Sequence, residues 1–264
     1  MDLKGKVVIV TGAGSGVGRA LALAFGRQGA RVVAVARRRE RIQETTAAIE
    51  AEGGLALAIQ ADVTDLAQVD RMVSQSLEAF EQIDVVFNNA GSFAALGAVW
   101  EVDPDLWWND VTVNLRGTML CCRSVLPHML KRDRGIVINM SGGNQIPGGT
   151  GYSCSKVGVI RFTELLAKEL KHKGSSVLAF TMGPGFVRTE MTELQIRTRE
   201  GQEWLPSSKA AVEQSKDRPP EDCARATMAL IRVACSELSG GAFGPDTDFE
   251  DALRKAKEEG RTRR

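Results

Sequence analysis

The short apolar run Lys6 to Val10 passes straight into Thr11-Gly12-Ala13-Gly14-Ser15-Gly16-Val17-Gly18. A helical pattern follows at Ala20, Leu21, Leu23, Ala24 and Phe25. Few folds accept this order. A buried strand has to end in a turn tight enough to need glycine, and a helix has to begin at once, its free N–H groups and dipole aimed beyond the strand end. Such a cradle suits the pyrophosphate of a dinucleotide, with Gly12, Ser15, Gly16, Val17 and Gly18 as its contacts. The alternation then repeats, with strands expected at 31–36, 55–60, 83–87, 135–140 and 176–181, a shortened last strand within 238–245, and helical periods between. Unbroken alternation predicts an α/β fold: one parallel, doubly wound sheet with helices on both faces, forming a single domain over 1–245.

The 264 residues, 43% of them hydrophobic, suffice for the core of one such domain. With 34 Lys plus Arg against 33 Asp plus Glu, no net field favours a nucleic acid or an anionic membrane as partner. The N-terminus runs directly into the first strand with no long apolar leader, and no stretch is apolar enough to span a bilayer, so a cytoplasmic protein is expected. Cys121, Cys122, Cys154, Cys223 and Cys235 show no CxxC or metal-ligand spacing, and only His128 and His172 add imidazoles. No metal site is expected. The thiols read as reduced and buried, Cys154 included.

Where a site selecting an unphosphorylated ribose needs a carboxylate, the second strand ends instead in Ala36-Arg37-Arg38-Arg39. Arg37 and its neighbours are suited to a 2′-phosphate, so NADP(H) is expected over NAD(H). Asp62 and Val63 follow the third strand, where a side chain can cap the turn or meet the base. Asn89, Ala90 and Gly91 follow the fourth, at the carboxyl edge where ligands of such sheets sit.

The chemistry is expected at Gly151-Tyr152-Ser153-Cys154-Ser155-Lys156, which opens a helix running through Val159, Phe162, Leu166 and Leu170. Four residues apart, Tyr152 and Lys156 share a face. An ammonium about 4 Å from a phenol, at an effective dielectric of about 20, is worth roughly 4 kcal/mol, enough to lower a pKa of about 10 by some three units. Ser141 ends the fifth strand and is the nearest hydroxyl to face that phenol. The rigid turn Gly183-Pro184-Gly185-Phe186-Val187-Arg188-Thr189 has backbone suited to holding a carboxamide.

Together Thr11-Gly12-xxx-Gly16-x-Gly18, Asn88-Asn89-Ala90-Gly91, Asn114, Ser141, Tyr152-xxx-Lys156 and Pro184-Gly185 resemble the short-chain dehydrogenase/reductase family, in its motif order and spacing, from about Gly5 to Thr189. The resemblance implies a Rossmann-type fold and hydride transfer between NADP(H) and a carbonyl or secondary alcohol, with Tyr152 as acid and base. It further implies that Lys156 holds the nicotinamide ribose and lowers the Tyr152 pKa, Asn114 supports a water relaying protons to Lys156, Ser141 steadies the substrate oxygen, and Val187 and Thr189 meet the nicotinamide amide. The family's serine usually stands one or two residues further on, where this chain has Gly142 and Gly143; Asn144 is the substitute candidate. Residues 190–220 fall at the family's substrate lid, where Trp204 and Leu205, with Phe93, Leu96 and Trp100, are placed to close over an apolar small molecule. A homodimer or homotetramer through helices at 105–130 and 152–172 is expected, as is a charged tail at 246–264, a frayed helix or disordered. The rival readings are an NADP(H)-sensing or scaffolding protein without turnover, and a dehydratase or epimerase using the same chemistry.

Overall fold

The computed structural model describes residues 1–143 and 145–262. Seven strands form one parallel sheet: β1 (Val7–Thr11), β2 (Arg31–Ala36), β3 (Leu55–Gln60), β4 (Val85–Asn88), β5 (Ile136–Met140), β6 (Leu178–Met182) and the two-residue β7 (Ala242–Phe243). Their order is β3-β2-β1-β4-β5-β6-β7. Residue Ile9 lies between Val33 of β2 and Val86 of β4, so the order reverses beside β1 and leaves a crevice at the carboxyl ends of β1 and β4.

Side chains alternate across the sheet with period two, and each face buries its own set. One face carries Val8, Val10, Val32, Ala34, Val85 and Phe87 under α1 (Gly16–Arg27), α2 (Arg39–Ala51) and α10 (Pro220–Val233). The other carries Val7, Ile9, Val33, Val35, Val86 and Val137 under α3 (Leu66–Phe80), α5 (Gly117–Lys131) and α6 (Thr150–His172). The expected doubly wound, single-domain architecture is therefore the observed one, with strand limits moved by one or two residues.

Three segments differ from expectation. The helix expected over 105–130 is α4 (Pro104–Val111) and α5 joined by a π-helical turn, Thr112–Arg116, which holds Asn114. Residues 190–220 fold as three short helices, α7 (Glu190–Arg197), α8 (Arg199–Trp204) and α9 (Pro206–Glu213). Of the two readings of the charged tail the disordered one fails: it is helical as α11 (Phe249–Thr262), because Phe249, Ala252, Leu253 and Ala256 recur on one stripe and pack on the core. Among the described residues no helix is long and apolar enough to cross a membrane.

The crevice is held open by contacts between strand ends. Thr11 Oγ1 accepts from the N–H groups of Asn89 and Ala90, each at 3.0 Å, and Asn89 Nδ2 donates to Thr11 O at 2.9 Å. A Cβ on Gly18 would stand 2.2 Å from Gly12 O and 2.4 Å from Asn89 Nδ2, so glycine is the residue that lets α1 start this close to β4.

Candidate active site

A cavity of about 1250 Å³ runs along the carboxyl edge of the sheet. It exceeds the roughly 300–1,000 Å³ of a drug-sized site, leaving room for a dinucleotide and a second small molecule. The expected cofactor residues Gly12, Ser15, Gly16, Val17, Gly18, Arg37, Asp62, Val63, Asn89, Ala90, Gly91, Pro184, Gly185, Val187 and Thr189 all line it, as do Ser141, Tyr152 and Lys156. Ser15 caps α1 from an extended conformation without a side-chain bond to its first turn, so the N-terminal N–H groups stay available to an anion. Asp62 lines the cavity and caps its own turn, its Oδ1 accepting from Thr64 N at 2.9 Å and Thr64 Oγ1 at 2.7 Å. At the end of β2, Arg38 and Arg41 join Arg37 in the wall. Glu190, opening α7, lies 3.0 Å from Arg38 and 3.9 Å from Arg41. Arg41 escaped the sequence reading because nothing marks it off from an exposed helical arginine.

Of the expected catalytic and cofactor residues, Asn114 is the one that does not line the cavity. It is buried behind the wall, where its Oδ1 accepts from Ser92 N at 2.8 Å and its Nδ2 donates to Ser92 O and Ser155 Oγ, both at 2.9 Å. Ser155 Oγ in turn donates to Tyr152 O at 2.6 Å. The amide thus ties the segment after β4 to the first turn of α6. Asp110, which the sequence reading missed, completes the brace. Wholly buried, it accepts from Ser92 Oγ at 2.5 Å, from Ala94 N at 2.9 Å and from Ala95 N at 3.0 Å. In sequence it is one more acid in a helical stretch and gives no signal. The segment it braces presents Phe93, whose ring stacks on Tyr152 at 4.3 Å and 12°.

The expected depression of the Tyr152 pKa by Lys156 is not what this site produces. Burial, reinforced by the negative charge of Asp110, pushes the phenol up to about 12. Burial also pushes Lys156 down to about 8, so the amine is already neutral at a pH where the phenol ionises and offers it no charge. Its Nζ lies 5.5 Å from the centre of the Tyr152 ring and donates to Met140 O at 3.1 Å. Tyr152 is the chain's single tyrosine.

Ser141 Oγ makes no hydrogen bond among the described residues. It faces Gly183, where a Cβ would stand 3.3 Å away. The position against the phenol is Gly142: a Cβ there would lie 2.2 Å from Tyr152 Oη, so the phenol fills the space that a side chain would take. Asn144 lies outside the described residues. Of the apolar candidates, Phe93, Trp204 and Leu205 line the cavity, Leu96 packs behind them, and Trp100 stands outside, 76% exposed. Cys154 also corrects the expectation: it is exposed, while Cys121, Cys122 and Cys223 are buried and Cys235 is partly so. Among the described residues no cluster of three or more His, Cys, Asp or Glu is placed to hold a metal.

Fold, glycine cradle and a Tyr–Lys pair at the strand ends define a dinucleotide-binding oxidoreductase. A model of the short chain dehydrogenase family matches residues 6–200, and the chain belongs to that family. It is 34% identical over 272 aligned residues to a short chain dehydrogenase of Pseudocercospora fijiensis, covering 98% of this chain and 86% of the relative. Among solved structures it is similar to the actinorhodin polyketide ketoreductase with NADPH (TM-score 0.80, 28% identity, 90% of this chain and 95% of the other). It is also similar to a short chain dehydrogenase/reductase of Burkholderia phymatum in complex with NAD (TM-score 0.82, 25% identity, 100% and 97%).

Gly142 supplies the test of this geometry. Gly142→Ala has to displace a buried, stacked ring and is expected to lower the unfolding free energy by about 1–3 kcal/mol in urea denaturation. At Gly143 a Cβ meets the flexible end of Ile146 at 2.6 Å, so Gly143→Ala is expected to cost less.

Proposed function

We propose that the chain is an NADP(H)-dependent carbonyl reductase and secondary-alcohol dehydrogenase with Tyr152 as its acid and base. The observation that carries this is the buried phenol bordering one continuous cavity, beside Lys156 and the glycine cradle. The cradle fits a dinucleotide: the first turn of α1 keeps its N–H groups free, and Arg37, Arg38 and Arg41 line the cavity at the end of β2, a set of cations suited to a 2′-phosphate. A nicotinamide cofactor bound there supplies the hydride. As the hydride adds to the carbonyl carbon, the C=O electron pair moves to oxygen, which takes the proton of Tyr152 Oη and leaves the alcohol. With its pKa near 12 the phenol is protonated at neutral pH, the form that reduction needs. Oxidation needs the phenolate and is expected to gain as pH rises. Lys156, with its pKa near 8, is cationic at neutral pH, which suits it to bind ribose hydroxyls and return a proton to the phenolate.

Asn114 holds α6 in register, and Ser141, with its unbonded hydroxyl, is the donor we assign beside the substrate oxygen. Residues 190–220 are assigned as the substrate lid of a 1–245 catalytic unit, with α11 outside it. The five free cysteines support a cytoplasmic home. Exposed Leu106 and Trp108 on α4, with Val157 and Leu165 on α6, support a homodimer or homotetramer, whose mass sedimentation velocity would read. A sensing protein without turnover is the second reading, favoured by the missing hydroxyl at Gly142.

These readings separate in one set of variants. Tyr152→Phe is expected to keep cofactor affinity while turnover falls about a hundredfold or more, and Ser141→Ala to cost roughly tenfold to a thousandfold with unchanged melting temperature. Near-normal turnover in Tyr152→Phe would place the acid elsewhere. Arg37→Ala is expected to weaken NADP(H) by about tenfold or more in titration calorimetry while sparing NAD(H). Equal affinity of the unmutated protein for the two cofactors would remove the preference.

A further inference from the structure

The cavity divides by chemistry. Its cations are Arg37, Arg38 and Arg41 at the end of β2, and Lys156; among the described residues no Lys, Arg or His lines the remainder. That remainder is walled by Phe93, Ile146, Met191, Trp204 and Leu205, which pack with the Tyr152 ring as one apolar cluster. A carboxylate or phosphate brought there would be desolvated with no partner. Aromatic walls favour a flat or ring-built apolar body.

Uncharged polar side chains interrupt this wall, among them Gln145, Gln195, Ser207 and Ser208. Gln195 is 7% exposed and lines the cavity. Its Oε1 accepts from Ser208 Oγ at 3.0 Å, while its Nε2 has no partner among the described residues. Although the residue is buried, its Nε2 is not among the enclosed unpartnered polar atoms; it is open to the cavity it lines, where an acceptor on a bound molecule would meet it. Gln195 follows Met191 by four residues on α7, so the two share a face, with Gln195 one turn, about 5.4 Å, along the helix from Met191. An acceptor meeting Gln195 is a second polar group, distinct from the carbonyl oxygen that faces Tyr152, on a wall otherwise contributed largely by the apolar cluster.

We infer that the substrate is an uncharged, apolar ring ketone, or the matching alcohol, bearing a second hydrogen-bond acceptor, received by Gln195. The inference names the substrate class of the reductase proposed above and rests on that reading for its turnover, though not for binding. In reduction the reacting carbonyl gains hydride at carbon and the Tyr152 proton at oxygen, NADPH is oxidised to NADP⁺, and the second acceptor is unchanged.

The test compares three probes on one bicyclic skeleton: a diketone with its carbonyls on opposite rings, the mono-ketone lacking the far carbonyl, and the keto acid with a carboxylate in its place. NADPH oxidation and calorimetric binding to the NADP⁺ complex are read for the unmutated protein, Gln195→Leu and Gln195→Glu, with melting temperatures as the fold check. The diketone is expected to exceed the mono-ketone by about tenfold in kcat/KM and in affinity, with the keto acid weakest. In both variants the diketone's advantage is expected to shrink by about tenfold. Equal diketone and mono-ketone in the unmutated protein, or preference for the keto acid, overturns the inference without touching the reductase reading. Binding that follows this order without NADPH oxidation upholds the ligand class and overturns the reductase reading instead.

Discussion

The amide of Asn114 is the joint on which the site depends. A β-sheet edge and a helix start are separate pieces of chain, and nothing in the sheet itself fixes where the first turn of α6 lies relative to the segment after β4. Asn114 fixes it, bonding Ser92 with both ends of its amide and Ser155 with its remaining donor hydrogen. To face both partners it sits in a π-helical turn, and such turns concentrate at functional positions because they re-aim one side chain without ending the helix. Asp110, one turn earlier, spends its buried carboxylate on the same segment. The outcome is that Phe93 and Tyr152 stack and the phenol presses on Gly142.

That packing decides the electrostatics. A phenol this well buried pays for ionisation in lost solvation, and the neighbouring amine cannot compensate because the same burial discharges it at a lower pH than the phenol needs. Reckoning the pair as two fixed charges at about 4 Å omits the desolvation of both. In the protein alone, the environment therefore holds the acid in its protonated form.

How much of this was legible beforehand follows from the range of each interaction. The sheet, its parallel order and the glycine cradle were readable, since β-branched runs, tight turns and helical periods are local. So were Tyr152 and Lys156, whose shared face depends only on helix pitch. The lining positions Asp62 and Asn89 followed from sheet topology, and Val187 from the family resemblance. Asp110, Ser92 and Arg41 were not readable, because each acquires its role from contacts across 15 or more residues, such as Ala95 N to Asp110, Asn114 to Ser92 and Arg41 to Glu190. The tail reads as frayed helix or as disorder in sequence because its charge masks the narrow apolar stripe that fastens it to the core.

The central claim is that desolvation, with Lys156 unable to offset it, sets the proton affinity of Tyr152. Because this is the chain's only tyrosine, the phenolate absorption band reports it alone. The most direct measurement is a pH titration of that band with and without saturating NADP⁺, circular dichroism confirming the fold over the same range. The account predicts an apparent pKa near 12 in the protein alone and a downward shift with the oxidised cofactor, whose pyridinium brings a positive charge that pH does not remove. A value at or below about 10 without cofactor, the ordinary phenol value, would contradict it.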